Sequence, residues 1–340
     1  MSLRRGSLTV AASCIKSFAL PRMQDGYGSI AEPVAIRLDL PLPVEADCAI
    51  NGDGRLVRSK TYTWDTPPSA TNAPSRLSVA TCQMPVTGNI AANLSFITDL
   101  IQRAAASGAD VAHFPECALS GYGPMDDWPN WTSFDWQAWE IAFEAVKTAA
   151  LEAKIWVVIG SVHKGENGNW PTNALFVIDR EGQVRGRYDK RRCSKNDLRA
   201  FAPGKASLIL DIEGVRCGFL ICLDWAFPEL WQEYAGVAEL VFHSCVSDNV
   251  QRDRIEAHVI QPLLRSYAWL HQYAVSSSNS CRRHQNFSSF WIERSGHLGS
   301  QAQQDEPGLA INRLIADHEQ DQFFQMVRDF RISARQHEAG

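Results

Sequence analysis

The stretch GFLICLDWAFPEL, residues 218–230, decides the fold of this chain. Its residues Phe219, Leu220 and Ile221 form an apolar run that is typical of a strand buried on both faces. The Phe-Pro-Glu that follows predicts the start of a helix, because proline is favoured in the first turn. Cys222 therefore stands where the carboxyl end of a buried strand meets a turn. A strand can present a sulfur rigidly to a crevice there, although a cysteine beside apolar residues is more often an inert core side chain.

Composition narrows the class of partner. The 340 residues are 45% hydrophobic and 21% charged, which is ordinary for a globular protein. A net charge of −5, with no long basic run, argues against nucleic acid or an anionic membrane as partner and favours a small molecule. The nine cysteines lack metal-ligand spacing, which favours a cytoplasmic location and predicts no metal site and no cofactor. No apolar run reaches the roughly 20 residues of a membrane helix.

The chain changes character near residue 75. Residues 1–75 are rich in Pro, Asp, Ser, Thr and Gly, and include an Asn-Gly-Asp-Gly turn at 51–54, which predicts an extended or partly disordered N-terminal leader. Residues 76–318 mix strand and helix patterns and predict a layered α/β domain. The charged residues 319–340 predict a C-terminal helical tail.

Apolar periodicity assigns the elements of the α/β domain. It predicts strands at 77–83, 110–114, 155–161, 172–179, a short one ending at 188–190, and then 206–212, 215–221, 238–243, 273–277, 287–293 and 309–314. Helices are expected after an Asn89 cap, from the aromatic loop at 122–139 to about residue 154, after Phe227, and near 252–271.

Three polar residues share one kind of position in these predicted strands. Glu116, Lys190 and Cys222 each stand at or just after a strand end, where a layered sheet gathers side chains in one crevice. A thiol needs a base to become a thiolate, which Glu116 can supply. A carbonyl under attack develops negative charge, which the Lys190 ammonium and the backbone N–H of Leu223 can stabilise. Singly, each residue has a simpler explanation, as a helix cap, a surface charge or a core thiol.

Short pieces of sequence around these residues carry a resemblance to a known family. They are HFPE at 113–116, SGY at 120–122, YDK at 188–190, FAPG at 201–204, CLDWAFPE at 222–229, FHS at 242–244, SNS at 278–280 and SSF at 288–290. In this order they resemble the nitrilase superfamily of carbon-nitrogen hydrolases, and in particular its amidase-like branch. The resemblance runs from residue 76 to about residue 314.

The resemblance implies a fold and a reaction. The fold would be an α/β four-layer αββα sandwich of the nitrilase-like type. Glu116 would be the base, Lys190 the oxyanion stabiliser and Cys222 the nucleophile in hydrolysis of a small amide or N-carbamoyl compound through a thioester. A homo-oligomer is implied as well. Nitrile hydrolysis by the same residues, or binding of a small molecule or partner without turnover, are the alternatives.

One position departs from the family pattern. Asp197 stands where family members usually carry a second glutamate, and it keeps the carboxylate with one methylene fewer. We expect Asp197 to support Lys190, or else to cap the turn before Phe201. The candidate pocket residues are Tyr122, Trp128, His243 and Asn279.

A different enzyme scheme would pair the cysteine with a histidine. Cys222 with His113 or His243 as base would make a Cys-His hydrolase. That scheme leaves the glutamate and the lysine unexplained. Glu229, an acid in the first turn of the expected helix, is interpreted as a helix-capping residue.

Overall fold

A computed structural model of the chain describes residues 48–50, 56–58, 75–123, 131–165, 170–247, 256–282, 285–315, 326 and 330. The chain divides into two units, residues 1–65 and 66–340. In the first unit, strands β1 (Cys48–Ile50) and β2 (Leu56–Arg58) pair antiparallel. Apart from residue 75, the rest of the predicted leader lies outside the described residues, as does the predicted C-terminal tail apart from residues 326 and 330.

The second unit carries the remaining strands and helices. In chain order they are β3 (Ser75–Gln83), α1 (Ile90–Ala106), β4 (Val111–His113), α2 (Trp136–Ala153), β5 (Trp156–His163), β6 (Thr172–Ile178), β7 (Val184–Asp189), β8 (Ile209–Ile212), β9 (Val215–Ile221), α3 (Pro228–Gln232), β10 (Leu240–Cys245), α4 (Glu256–His271), β11 (Ala274–Asn279), β12 (Phe290–Ile292), β13 (Leu298–Gln301) and β14 (Gly308–Ile315). In the described part of the chain, none of these helices is both long and apolar enough to cross a membrane.

These strands form two six-stranded sheets. The first has the order β14-β3-β4-β5-β6-β7, and the second has the order β13-β12-β11-β10-β9-β8. In the first sheet β3, β4 and β5 run parallel, and two antiparallel pairings bring β7 back to the same direction. In the second sheet β9, β10 and β11 run parallel. Met84 and Ser280, which follow β3 and β11, form a parallel bridge, so the carboxyl ends of both parallel sets lie at one side of the structure.

The alternation of side chains along β3 shows how the layers stack. Ala80 and Cys82 pack in one apolar cluster with α1 and α2, whereas Val79 packs in another with the second sheet. Successive residues of a strand point to opposite faces, so one face of the sheet meets helices and the other meets a sheet. Helices α3 and α4 cover the outer face of the second sheet through Trp231 and Leu264. The implied four-layer αββα sandwich is therefore confirmed.

A buried polar seam joins the two sheets. His113 on β4 lies between two hydroxyls of the second sheet, with Nδ1 2.8 Å from Ser276 Oγ and Nε2 2.8 Å from Ser244 Oγ. Ser276 also bonds Thr81 of β3 at 2.8 Å, and the Ser244 hydroxyl donates to the carbonyl of Phe114. Buried polar groups must find partners, so this seam fixes the position of one sheet on the other.

The strand predictions for the second unit differ most from the structure at three places. The strand predicted at 287–293 spans only Phe290–Ile292. Strand β13 was not predicted, because its Leu-Gly-Ser-Gln sequence is short, polar and partly exposed at the sheet edge. The strand predicted at 206–212 begins only at Ile209. The preceding backbone is held elsewhere, since the N–H of Gly204 donates to the carbonyl of Lys190 at 2.8 Å.

The absence of a side chain at Gly160 leaves room for the loop that follows β4. A Cβ at Gly160, in the middle of β5, would lie 2.2 Å from the carbonyl oxygen of Pro115 and 2.5 Å from the backbone nitrogen of Cys117. The loop after β4 crosses β5 at this point, and backbone atoms cannot yield as a flexible side chain would. We predict that Gly160→Ala lowers the free energy of unfolding by about 1–3 kcal/mol, measured by urea titration.

Gly308→Ala on β14 is the matched control, because a Cβ there meets nothing within 4 Å. It is expected to cost no stability, since alanine restricts the unfolded chain. Equal stability of the two alanine variants would contradict the close crossing of the loop over β5.

Candidate active site

Glu116 lies in the loop that leaves the carboxyl end of β4, and its side chain is fully buried. Three donors point at its two carboxylate oxygens. Asn173 Nδ2 and Lys190 Nζ approach Oε1 at 2.7 and 2.8 Å, and the backbone N–H of Val246 donates to Oε2 at 2.8 Å. A carboxyl group that only accepts hydrogen bonds fits its ionised form.

Lys190 follows β7 at the same edge of the first sheet, and only 1% of the residue is exposed. Its ammonium donates to Glu116 Oε1 at 2.8 Å and to Asp197 Oδ2 at 2.9 Å. Burial disfavours the charged form, but the charges of Glu116 and Asp197 oppose it, and the pKa of Lys190 is raised well above its usual range. Lys190 is therefore a fixed, permanent cation.

Asp197 combines the two roles considered for it. Its Oδ2 accepts from Lys190 Nζ and, at 2.7 Å, from the backbone N–H of Ser194, which caps the local turn. Its Oδ1 accepts from the Tyr122 hydroxyl at 2.5 Å. Burial would raise the pKa of Asp197, but the Lys190 charge and these hydrogen bonds lower it below its ordinary value. The shorter acid reaches the lysine directly, so no bridging water is needed.

Cys222 follows β9 and opens a short 3₁₀ helix, Cys222–Ala226, that also contains Leu223. The thiol is half-buried, and Sγ lies 4.0 Å from the carbonyl oxygen of Val246. Its φ of 43° lies in the left-handed region, where a non-glycine residue is strained. A strained backbone persists only where the surrounding structure holds it, and such positions cluster at functional sites.

Asp224 clamps the turn that carries the cysteine to the loop that carries the lysine. Its Oδ2 accepts from the Tyr188 hydroxyl at 2.8 Å and from the backbone N–H of Ile221 at 3.0 Å, and its Oδ1 accepts from the N–H of Arg192 at 2.9 Å. Burial raises the pKa of Asp224. One carboxylate thus holds the segments that carry Cys222 and Lys190, although these segments follow strands of different sheets.

The site gathers where the two sheets meet. Val246, directly after β10, donates its N–H to Glu116 and turns its carbonyl to the Cys222 thiol, so one residue of the second sheet contacts both. The structure therefore brings together the predicted Glu116, Lys190, Asp197 and Cys222. Among the described residues, no group of three or more His, Cys, Asp or Glu side chains is arranged to hold a metal ion.

The candidate pocket residues have different placements. Tyr122 is part of the site through its bond to Asp197, with its ring 5.9 Å from Lys190 Nζ. His243 is fully buried behind Cys222. Asn279 is also buried, and its side-chain Oδ1 accepts from the backbone N–H groups of Ser247 and Ser280. Trp128 lies outside the described residues.

The geometry disfavours a Cys-His pair. Both ring nitrogens of His113 face serine hydroxyls, and burial lowers its pKa well below the usual range. The Nε2 of His243 lies 3.1 Å from the backbone carbonyl oxygen of Cys222, so this nitrogen is engaged by the backbone. Glu229, the other acid considered, lies in the first turn of α3 and pairs with Arg192 at 2.9 Å.

Two contributors to the site were not predicted from the sequence. Asn173, at the start of β6, donates to Glu116, and its own carbonyl accepts from the N–H of Lys190 at 2.8 Å. Val246 acts only through its backbone. Asn173 begins the strand that precedes the YDK strand, so a hairpin between the two would have placed Asn173 near Lys190 and could have indicated its role. The contact of Val246 uses backbone atoms, which the sequence pattern does not reveal.

Comparison with known proteins places this geometry in a family. Residues 78–318 match the carbon-nitrogen hydrolase family. The chain is 34% identical over 182 residues to a glutamine-dependent NAD(+) synthetase of Xylella fastidiosa, which covers 49% of this chain and 30% of the synthetase. It is 27% identical over 173 residues to the omega-amidase NIT2 of Mus musculus, which covers 47% of this chain and 60% of that protein. A mutant of the Nesterenkonia AN1 amidase from the nitrilase superfamily matches with a TM-score of 0.65 and 20% identity, over 78% of this chain and 99% of that one.

The chain therefore belongs to the carbon-nitrogen hydrolase family, and the resemblance to carbon-nitrogen hydrolases drawn from its short sequence pieces is confirmed. The likeness to the Nesterenkonia amidase supports the fold. The matched region spans less than two thirds of either curated relative, 30% of the synthetase and 60% of the omega-amidase. The activities of those proteins do not transfer by similarity alone.

Asp197→Asn should destabilise the protein in a pH-dependent way. The folded state lowers the pKa of Asp197, so its contribution is fully present above the unfolded value near 3.8 and is lost as pH falls through the folded pKa. We expect the variant to lose about 1–3 kcal/mol of unfolding free energy at pH 6–7, the range for a charged hydrogen bond. The difference from wild type should shrink below about pH 4. Urea titrations at several pH values measure it.

Asp99→Asn is the control, because Asp99 forms an exposed helical pair with Arg103 at 3.3 Å. It should cost under about 0.5 kcal/mol. A difference between wild type and Asp197→Asn that stays constant with pH would contradict the charged role of Asp197.

Proposed function

We propose that this protein hydrolyses the carbon–nitrogen bond of a small linear amide or N-carbamoyl compound through a thioester on Cys222. The observation that carries the proposal is the buried Lys190 ammonium, which two carboxylates hold. One of them, Glu116, accepts from the N–H of Val246, whose carbonyl oxygen lies 4.0 Å from Cys222 Sγ. A carboxylate base, a thiol nucleophile and a fixed cation are the parts that acyl transfer requires.

The first half of the reaction forms the thioester. Glu116 takes the thiol proton as Cys222 Sγ attacks the carbonyl carbon of the substrate. The carbonyl oxygen becomes an oxyanion, which the Lys190 ammonium and the N–H of Leu223 stabilise. Two of the three ammonium protons of Lys190 serve Glu116 and Asp197, so the third is available to that oxygen. The carbon–nitrogen bond then breaks, and Glu116 gives its proton to the leaving ammonia or amine.

The second half regenerates the enzyme. A water molecule gives a proton to Glu116 and attacks the thioester carbon. The second oxyanion occupies the same place as the first. When the carbon–sulfur bond breaks, the acid leaves and the proton returns from Glu116 to Cys222. Asn173 and the N–H of Val246 keep the carboxylate of Glu116 aimed through both halves.

The substrate class is argued from the residues after the cysteine. Leu223 and Asp224 resemble the amidase-like branches, whereas dedicated nitrilases tend to carry Trp-Glu there. Asp224 is already committed to the clamp between the two loops. The omega-amidase relative and a Nesterenkonia amidase structure in complex with butyramide support an amide.

Butyramide and butyronitrile form a matched pair for testing this preference. They share a carbon chain and differ only in the group that the thiol attacks. We predict measurable ammonia release from a panel of small amides and N-carbamoyl compounds that includes butyramide, with a kcat/KM at least about tenfold above that of the nitriles, or roughly 1.4 kcal/mol. Cys222→Ala protein is the blank for contaminating activity.

Nitrile turnover above amide turnover would reassign the substrate while leaving the three groups in place. Absence of turnover across the panel, in protein that folds normally, would favour a member of the fold that binds a small molecule or a partner without catalysis.

Glu116, Lys190 and Cys222 are expected to act as a unit. We predict that Glu116→Gln, Lys190→Met and Cys222→Ala each lower kcat by about 10³-fold or more, and that the double variant Glu116→Gln/Cys222→Ala is no worse than Cys222→Ala alone. Circular dichroism should verify that each variant folds.

Lys147→Met controls for the loss of a lysine, because Lys147 pairs with Glu144 on the surface of α2 at 2.9 Å. Its kcat should stay at the wild-type value. A near-normal kcat in Lys190→Met would refute the oxyanion role.

A further inference from the structure

His243 lies directly behind the proposed nucleophile. It belongs to β10, is fully buried, and its ring packs edge-on against Trp231 with 5.4 Å between the ring centroids. Its Nε2 is 3.1 Å from the backbone carbonyl oxygen of Cys222, and its Nδ1 is 3.1 Å from Ser277 Oγ on β11. Both ring nitrogens are therefore engaged, and the ring cannot turn without losing both contacts.

The contacts assign the tautomer of this histidine. Burial lowers the pKa of His243 to about 4, so the ring is neutral near pH 7 and carries one N–H. A carbonyl oxygen can only accept, so the proton must lie on Nε2 and donate to Cys222. The Nδ1 atom then accepts from the hydroxyl of Ser277.

The bond to Cys222 also decides where the next N–H points. The peptide bond between Cys222 and Leu223 is planar and trans, so its carbonyl and its N–H point in opposite directions. Holding the carbonyl oxygen against His243 turns the Leu223 N–H away from the histidine. Cys222 has a strained φ of 43°, so this peptide needs such an external hold. A hydrogen bond to the carbonyl also polarises the N–H of the same peptide.

We propose that His243 is a positioning residue that aims the Leu223 N–H at the oxyanion. The proposal rests on the function proposed above, because it gives that N–H its role in catalysis. His243 touches no reacting atom. Ser277 has a supporting role, since its hydroxyl fixes the Nε2 proton.

Two substitutions separate this role from packing. His243→Met fills a similar space without a donor, whereas His243→Gln places an amide N–H at about the reach of Nε2. Loss of a whole oxyanion donor costs about 10²–10³ in kcat, so a donor that is present but misaimed should cost less. We expect His243→Met to lower kcat about 10–100-fold with KM within about twofold of wild type. The glutamine should restore most of that loss.

Alkylation of Cys222 by iodoacetamide supplies a second readout. This displacement at a saturated carbon forms no oxyanion, so its rate should differ by less than about threefold between His243→Met and wild type. An equal fall in the alkylation rate and in kcat would mean that the nucleophile itself had moved, and would overturn the proposal. So would a wild-type kcat in His243→Met, or a loss in His243→Gln as large as in His243→Met.

Ser277→Ala and Ser266→Ala are a milder pair, which serves if the methionine variant does not fold. Ser277 bonds His243, whereas Ser266 is an exposed residue of α4 whose hydroxyl donates to the carbonyl of Pro262 at 3.0 Å. Only Ser277→Ala should lower kcat, by about two- to tenfold, and equal kcat values would overturn the proposal. Failure of the proposed function looks different, because wild-type protein would then turn over no member of the panel.

Discussion

A buried ammonium is the constraint on which the rest of this structure depends. Removing a charged lysine from water costs several kcal/mol unless partners compensate it. Here the compensation comes from Glu116 after β4 and Asp197 in the loop after β7, both fully buried. The loop after β4 can reach Lys190 only by crossing β5, and Gly160 leaves the room for that crossing. The charge of Lys190 therefore constrains the loop after β4, the loop after β7 and the strand β5 that the first loop crosses.

The second sheet supplies the remaining groups of the candidate active site. Its strand β9 ends in Cys222, and β10 ends beside Val246, which contacts both the glutamate and the thiol. The His113 seam and the Asp224 clamp tie the two sheets together through buried hydrogen bonds. A site divided between two sheets in this way is held before any substrate arrives, which is the condition for effective stabilisation of a transition state.

Much of this could be predicted from the sequence, for physical reasons. Strand β9 was predicted at its observed bounds, because its apolar run is bounded by a turn and by Cys222. Glu116 and Lys190 could be proposed as site residues because polar side chains that follow the ends of strands meet in one crevice of a layered sheet. Asn173 and Val246 were missed, since their contacts come from strands distant in sequence and one of them uses only its backbone. The direct reach of Asp197 depended on the loop path, which no local pattern encodes.

The central claim is that Cys222 carries the acyl group of an amide during turnover. The direct measurement is mass spectrometry of wild-type protein quenched in acid during steady-state turnover of butyramide, followed by peptide mapping. The account predicts a butyryl adduct on the peptide that contains Cys222, absent from Cys222→Ala protein and removed by hydroxylamine, as a thioester would be. Continuing ammonia release without any adduct on Cys222, or an adduct on another cysteine, would contradict it.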